Sequence, residues 1–201
     1  MTHTDVASLS QHLESSAPAS KTLSAAIARA LAVSVIISIG AQLELRLPFT
    51  PVPITGQTLG VVLCGLTFGR ASAINGTLLY LAEGLAGLPV FSGGAAGIQH
   101  LTGPTAGYLV GFVPAAAIAG HIGQLGGRHS PLYTFAASLL SSLPIFVLGV
   151  LWLAVKLGSL NLAVTSGLLP FIPGDFVKAI VLSMILPGAA AVFASRRNRH
   201  K

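Results

Sequence analysis

The sequence predicts an all-α, polytopic membrane protein with six transmembrane helices and both termini in the cytoplasm. Three observations lead there. Of the 201 residues, 53% are apolar and 8% are charged, whereas a soluble domain carries about 25% charged residues. Mean hydropathy is +0.81. Apolar runs approaching the roughly 20 residues needed to cross a bilayer recur along the chain and use up most of it.

Residues 1–21 are polar and end at Lys21. They lack the short apolar core of a cleaved signal peptide and read as a flexible cytoplasmic tail. Residues 22–195 then form the membrane domain, and 196–201 a basic cytoplasmic tail. The apolar runs lie at about 23–42, 54–69, 71–88, 104–123, 132–157 and 174–194. All six are predicted helical, because an open backbone cannot sit unsatisfied in lipid. The second and third are separated only by Gly69, Arg70 and Ala71, which predicts a tight hairpin.

Two connections are unusual. LRLPFTPVPIT (45–55) holds Pro48, Pro51 and Pro53, which forbid a continuing helix. GLPVFSGGAAGIQHLTGP (87–104) is Gly-rich yet keeps Phe91, Ile98 and Leu101. Those side chains predict a loop that folds back over something apolar.

Six spans place Lys21, Arg29, Arg70, Arg128, Arg196, Arg197, Arg199 and Lys201 on one side, eight of the eleven basic residues. Arg46 and Lys156 fall on the other. That asymmetry predicts cytoplasmic termini and puts both unusual loops on the outer face. It also accounts for the net charge of +6 and the pI near 10.1 without nucleic acid as a partner. Lipid is the expected surrounding.

Five acidic residues are present, and each can be weighed. Asp5 and Glu14 sit in the tail, and Glu44 near the outer loop. Asp175 and Lys178 share one face of the last run by their i,i+3 spacing. A charge at mid-membrane costs about 2.5–3.5 kcal/mol. The two residues therefore read either as a self-neutralised pair near the interface or as a ligand site. Glu83, one turn inside the third run, snorkels, pairs with Lys156 or Arg46, or faces a site. Thr55, Gln57 and Thr58 follow the Pro-rich loop and either bind a ligand or cap the second helix. Tyr80 and Tyr108 stack on a ligand ring or pack.

Several chemistries are excluded or weak. One Cys (Cys64) gives no disulfide framework and no Cys-based zinc cluster. His100 and His121 have no ligand spacing, so no metal is expected. No P-loop or GxSxG pattern occurs, so no catalytic residues and no cofactor are expected. Energy for uphill transport has to come from a partner or an ion gradient. Ala26, Ala28, Ala30 and Ala32 form small-xxx-small pairs on the first helix, which permit close approach of another helix.

The segments PFTPVPITGQTLGVVLCG (48–65), LLYLAEGLAGLPVFSGG (78–94), GPTAGYLVGF (103–112) and PGDFVK (173–178) resemble the BioY family. These are the biotin-specific S components of energy-coupling-factor (ECF) vitamin transporters. The likeness runs from about residue 23 to 194. It implies six membrane helices in the cell membrane, a biotin pocket near the outer face and a lid made by the first loop. It implies partners: a transmembrane T component and two ATPase subunits, with some members found without them; a homo-oligomer is the other arrangement expected. By resemblance, Asp175 and Lys178 lie at the ligand, Ser92, Gly93 and Gly94 help enclose it, and Ala26, Ala28, Ala30 and Ala32 contact the T component. Some members carry Asn in the 92–94 stretch, where this chain has none, and Glu83 stands where an apolar residue is expected.

The chemistry of biotin suits such residues. Its ureido ring offers two N–H donors and a carbonyl, which Asp175 and a donor such as Lys178 or Gln57 complement. Two other functions fit the composition: a non-transporting membrane sensor or assembly subunit, and an intramembrane hydrolase, for which only His100 and His121 offer a base.

Overall fold

The computed structural model describes the backbone of residues 3–126 and 130–198, and the side chains of 22–126 and 130–187. In chain order the elements are α1 (His3–Gln42), β1 (Glu44–Leu45), β2 (Ile54–Thr55), α2 (Gln57–Phe68), α3 (Arg70–Leu85), a 3-10 turn (Ser92–Gly94), α4 (Ile98–Thr102), α5 (Ala106–Gln124), α6 (Pro131–Leu157), α7 (Leu160–Gly167) and α8 (Ile172–Asn198). The side chains of the two expected tails lie outside the described residues.

The expected hairpin is present, with Gly69 alone separating α2 from α3. Helix α6 starts on Ser130, whose hydroxyl accepts from the Tyr133 amide at 3.4 Å, with Pro131 in the first turn. A proline there costs nothing, since its missing N–H has no partner in the first turn.

Two elements depart from expectation. The last apolar run is preceded by a separate short helix, α7, which the run boundaries missed. The segment Leu160–Gly167 with Ile172–Pro187 is bent by 42°; Pro170 falls at the break, where its missing donor interrupts the helical ladder, and Pro173 sits in the first turn of α8, where a missing donor costs nothing. The Pro-rich connection is also not featureless: β1 and β2 pair antiparallel, Glu44 opposite Thr55 and Leu45 opposite Ile54. This ladder fixes residues 46–53 as a closed loop.

Among the described residues, three helical stretches are long and apolar enough to cross a membrane: Thr22–Gln42, Ala106–Gln124 and Pro131–Leu157. The bent pair makes a fourth if it is one span. Helix α2 has 12 residues and α3 has 16. At 1.5 Å per residue these are about 18 and 24 Å long, short of a core of roughly 30 Å.

The outward faces match lipid. On α6, Leu140, Leu143, Val147, Leu151 and Val155 recur at helical spacing and are all at least half exposed. Leu23, Ile27, Leu31, Val35 and Ile39 form the same stripe on α1. Outward stripes of large aliphatics are unfavourable in water and normal against acyl chains.

Inside, α5 packs against α2, α3 and α6, α1 against α2 and α3, and α8 against α6. One apolar cluster includes Val33, Tyr80, Phe91, Tyr108, Phe112, Ile145 and Phe171. It lies at the end of the bundle that carries the two unusual loops. A second, around Val62, Leu66, Ala119, Ala137 and Leu182, fills the other end. The Gly-rich loop does fold back: Phe91 is fully buried and meets Tyr80 edge-on, ring centres 5.5 Å apart. Leu101 packs partly against the same cluster, but Ile98 stays 62% exposed, so only part of that loop is a plug.

Candidate functional site

The residues singled out around the Pro-rich loop converge. An inner cavity of about 40 Å³ is lined by Thr55, Gln57, Thr58, Tyr108, Phe171 and Lys178, among others. Its mouth is formed by Pro53, Ser92, His100 and Thr105, and the same four residues line a polar vestibule of about 410 Å³ on the loop side. The inner part alone approximates one water's share of liquid volume, about 30 Å³, while the two parts together reach the size of small-molecule sites, roughly 300–1,000 Å³.

Lys178, Gln57 and Tyr108 are each held by a hydrogen bond. Lys178 on α8 donates from Nζ to Thr58 Oγ1 on α2 at 2.7 Å. Gln57 is 5% exposed. Its Oε1 accepts from Thr55 Oγ1 at 2.8 Å, and its Nε2 donates to the Tyr80 hydroxyl. Tyr80 is fully buried and does not line the cavity. It positions the Gln57 amide and supports Phe91, so its role is orientation and packing. Tyr108 lines the cavity, stacks with Phe171 at 6.1 Å, and donates its hydroxyl to the Gly167 carbonyl at 2.7 Å. Its ring face, with that of Phe171, offers a flat apolar surface.

Asp175 and Lys178 share a helix face yet do not form an ion pair. Among the described residues the one salt bridge is Arg46 to Glu44, at 2.8 Å. Asp175 is buried and its Oδ1 accepts from Ser142 Oγ on α6 at 3.1 Å. It borders a small cleft with Thr58, Ser142 and Lys178, beside the inner cavity, which it does not line. The self-neutralised pair is thus replaced by two charges, each bonded to a hydroxyl on a different helix. Asp175 also borders a groove of about 550 Å³, which is otherwise lined by aliphatics and aromatics of α6 and α8 and by Leu168. That groove opens on the stripe of α6 assigned to lipid and has no other polar group.

The three loop residues separate. Ser92 lines both cavities, and its hydroxyl donates to the Glu44 carboxylate. Gly93 and Gly94 are exposed and border neither cavity. Gly93 has φ +67°, and a Cβ there would collide with the Arg46 guanidinium and Glu44. Glycine at 93 therefore lets the two loops close on each other. The Ser92 hydroxyl, opposed by burial and aided by Arg46, holds the Glu44 carboxyl below its ordinary range.

Glu83 pairs with neither Lys156 nor Arg46. Lys156 lies over the Trp152 ring, 5.2 Å from its centre, and Arg46 is taken by Glu44. Glu83 instead accepts from the Ser34 hydroxyl on α1. Of the small-residue pairs, Ala26 and Ala28 are exposed, while Ala30 and Ala32 are half-buried. The Ala30 carbonyl is 2.7 Å from where a Cβ on Gly76 would stand, so Ala30 packs on α3 of the same chain. No group of three or more metal-ligating side chains occurs among the described residues.

Sequence reasoning passed over Ser142, Glu44, Arg46 and His100 as site elements. His100 was weighed only as a metal ligand or base. It stacks on Phe91, ring centres 5.1 Å apart, and burial pushes its imidazole below the ordinary histidine range, against the pull of Glu44.

Comparison with known proteins places this arrangement. The sequence profile of the BioY family matches residues 11–195. The biotin transporter BioY of Rhizobium etli is 33% identical over 163 residues, 78% of this chain and 87% of that protein. The probable biotin transporter BioY of Pyrococcus horikoshii is 39% identical over 150 residues, 75% of this chain and 86% of that one. A crystal structure described as the S-component for biotin from an ECF-type ABC transporter superposes with a TM-score of 0.76 at 26% identity, covering 85% of this chain and 93% of that chain.

Proposed function

The chain belongs to the BioY family, and from that premise we propose that it is the membrane subunit that captures biotin and passes it inward. The family is one of transporter subunits, not enzymes. The observation that carries the substrate is the inner cavity together with the vestibule it opens into. A neutral ureido ring needs donors and acceptors within a dry, mostly apolar wall. Thr55, Gln57 and Lys178 supply the polar groups, and Tyr108 and Phe171 the apolar faces.

Membership supports a finer reading. Six spans follow if α2 and α3 each cross as a hairpin, locally thinning the bilayer or tilting little. The termini are then cytoplasmic, the two loops face outward in the cell membrane, and residues 46–53 act as the lid. Without a P-loop of its own, the subunit takes energy from a T component and two ATPases, with the exposed Ala26 and Ala28 on the contacting face of α1, or it works as a homo-oligomer.

Purified chain in detergent, titrated with biotin by calorimetry, tests the substrate, with thiamin and riboflavin as controls. Saturable binding of biotin alone is the expected result. Absence of biotin binding by a sample that melts cooperatively overturns it.

A further inference from the structure

We propose that the two outward grooves flanking α6 hold the chains of one anionic diacyl phospholipid, whose phosphate sits on Lys156. The inference needs only a membrane around the chain and stands apart from the biotin reading.

The first groove, about 340 Å³, runs between α5 and α6 and is walled by Val110, Leu148, Leu151, Trp152 and Val155. Small residues set its floor. Ala106 and Gly107 line it too, and a Cβ on Gly107 would collide with the Leu148 carbonyl and with Trp152. The α5 backbone therefore lies directly against α6, and that turn has no side chain to fill the space above it. The second groove, about 550 Å³, lies on the α8 side of α6. Leu151 lines both and is 55% exposed, so it is the ridge between them. Two aliphatic clefts parted by one ridge match two chains hung from one headgroup. Any lipid tail suits such clefts, so selection among lipids falls to the polar group at their end.

Lys156 is that group. It lies in the last turn of α6, next to Val155 and one turn beyond Trp152. This is the end of the bundle that carries the two loops. The Lys156 side chain is exposed, and its Nζ stands 5.2 Å from the centre of the Trp152 ring, a cation–π contact. Trp152 is itself fixed, since its indole N–H donates to the Gly103 carbonyl at 2.8 Å. That spends its single donor and leaves the ring as groove wall. Tryptophan favours the depth at which lipid headgroups lie. Among the described residues no carboxylate pairs with Lys156. Glu44 is taken by Arg46 and Ser92, Glu83 by Ser34 and Asp175 by Ser142. The ammonium thus keeps donors for a phosphate, while its alkyl stem extends the apolar wall. From Leu148 to Val155 the helix rises about 10 Å, so a tail below the phosphate crosses two turns of groove.

The test incubates the full-length chain in detergent with equal amounts of dioleoyl phosphatidylglycerol and dioleoyl phosphatidylcholine, and native mass spectrometry counts the lipid retained after washing. Phosphatidylglycerol is expected to be retained about fivefold over phosphatidylcholine, the worth of one basic residue beside anionic lipid. Lys156→Gln brings the ratio to about one, and Lys156→Arg keeps it, with cooperative melting in both. Val110→Trp, which fills the α5–α6 groove from its exposed rim, lowers retention of both lipids. Excess glycerol phosphate displaces neither. Equal retention of the two lipids by wild type overturns the site, as does a preference that persists in Lys156→Gln or full retention in Val110→Trp. Displacement by glycerol phosphate would make it a site for free phosphate, and a lipid-free dimer would give the face to a second copy; either result overturns the proposal.

Discussion

Lys178 Nζ and Thr58 Oγ1 meet at 2.7 Å across the gap between α8 and α2, although 120 residues separate them in the chain. The contact ties the last helix to the one that follows the Pro-rich loop, and it aims a cation at the inner cavity. A buried ammonium needs its donors occupied, so Thr58 holds Lys178 ready while the cavity wall supplies no carboxylate. Lys178→Met is expected to weaken biotin binding by about 10- to 100-fold, the equivalent of roughly 1.5–3 kcal/mol for a hydrogen bond to a charged group. Thr58→Val, which removes only the partner, weakens it less. Calorimetry with a thermal melt on each variant separates this from unfolding. An unchanged affinity in Lys178→Met removes the residue from the site.

What was legible beforehand follows from range. Thr55, Gln57 and Lys178, which line the inner cavity, stand out in the sequence because polar groups in an apolar chain carry a known cost. The partner of Asp175 was not. Ser138, Ser141 and Ser142 all lie in α6, and each can bond the carbonyl one turn back, which satisfies a serine in a membrane helix without any partner. Only the packing of α6 on α8 selects Ser142, which reaches both the Ser138 carbonyl, at 3.0 Å, and Asp175. Glu83 failed for a similar reason. Its expected partners were cations, whereas helix α1 brings a neutral hydroxyl, Ser34, 49 residues away. Helix α7 fell between the fifth and sixth runs and in neither, because a helix of 8 residues is too short to register as an apolar run of spanning length.

Gly111 governs the α5–α6 interface at the level of the cavity. A Cβ on Gly111 would stand 2.7 Å from the Ile145 Cα and 2.9 Å from the Pro144 carbonyl oxygen. Both are backbone atoms of α6 and cannot rotate away. Gly111→Ala must therefore push the helices apart, near Phe112 and Ile145, which line the inner cavity. The expected cost is about 1–3 kcal/mol, the range for overpacking a tight core. Lower melting temperature together with weaker biotin binding is the predicted pair of results. A variant with native stability would mean the helices are less closely packed than described.

The clasp between Glu44 and Ser92 sets a direction for pH. Glu44 is held below its ordinary carboxylate range, chiefly by the Ser92 hydroxyl and further by Arg46. A depressed carboxyl contributes stability that is present above its unfolded value and is lost as pH falls through its folded one. The facing groups are Arg46 and His100, the second of which burial keeps from charging until lower pH. Loop closure should therefore loosen only as pH falls below the ordinary carboxylate value of about 4.5, and biotin dissociation should speed up there. Glu44→Gln is expected to dissociate faster at neutral pH and to lose most of that dependence. Equal pH profiles in the variant and wild type would assign the effect elsewhere.

Orientation in the membrane can be read with the chain's own lone thiol removed. Cys64 is buried, and burial pushes access to reagents down, so native protein should resist a maleimide until it is denatured. In a Cys64→Ser background, single cysteines can report the two ends of the bundle. Phe49 lies in the Pro-rich loop and is 64% exposed, and Arg70 stands at the exposed turn between α2 and α3. Because basic residues collect on the cytoplasmic side, Phe49→Cys should react with an impermeant maleimide on intact cells, and Arg70→Cys only after the membrane is opened. This outcome also requires that α2 cross the bilayer despite its 12 residues, since Phe49 and Arg70 lie at its opposite ends. Labelling of both from the outside would make α2 and α3 a re-entrant hairpin and bring the span count down to the longer helices.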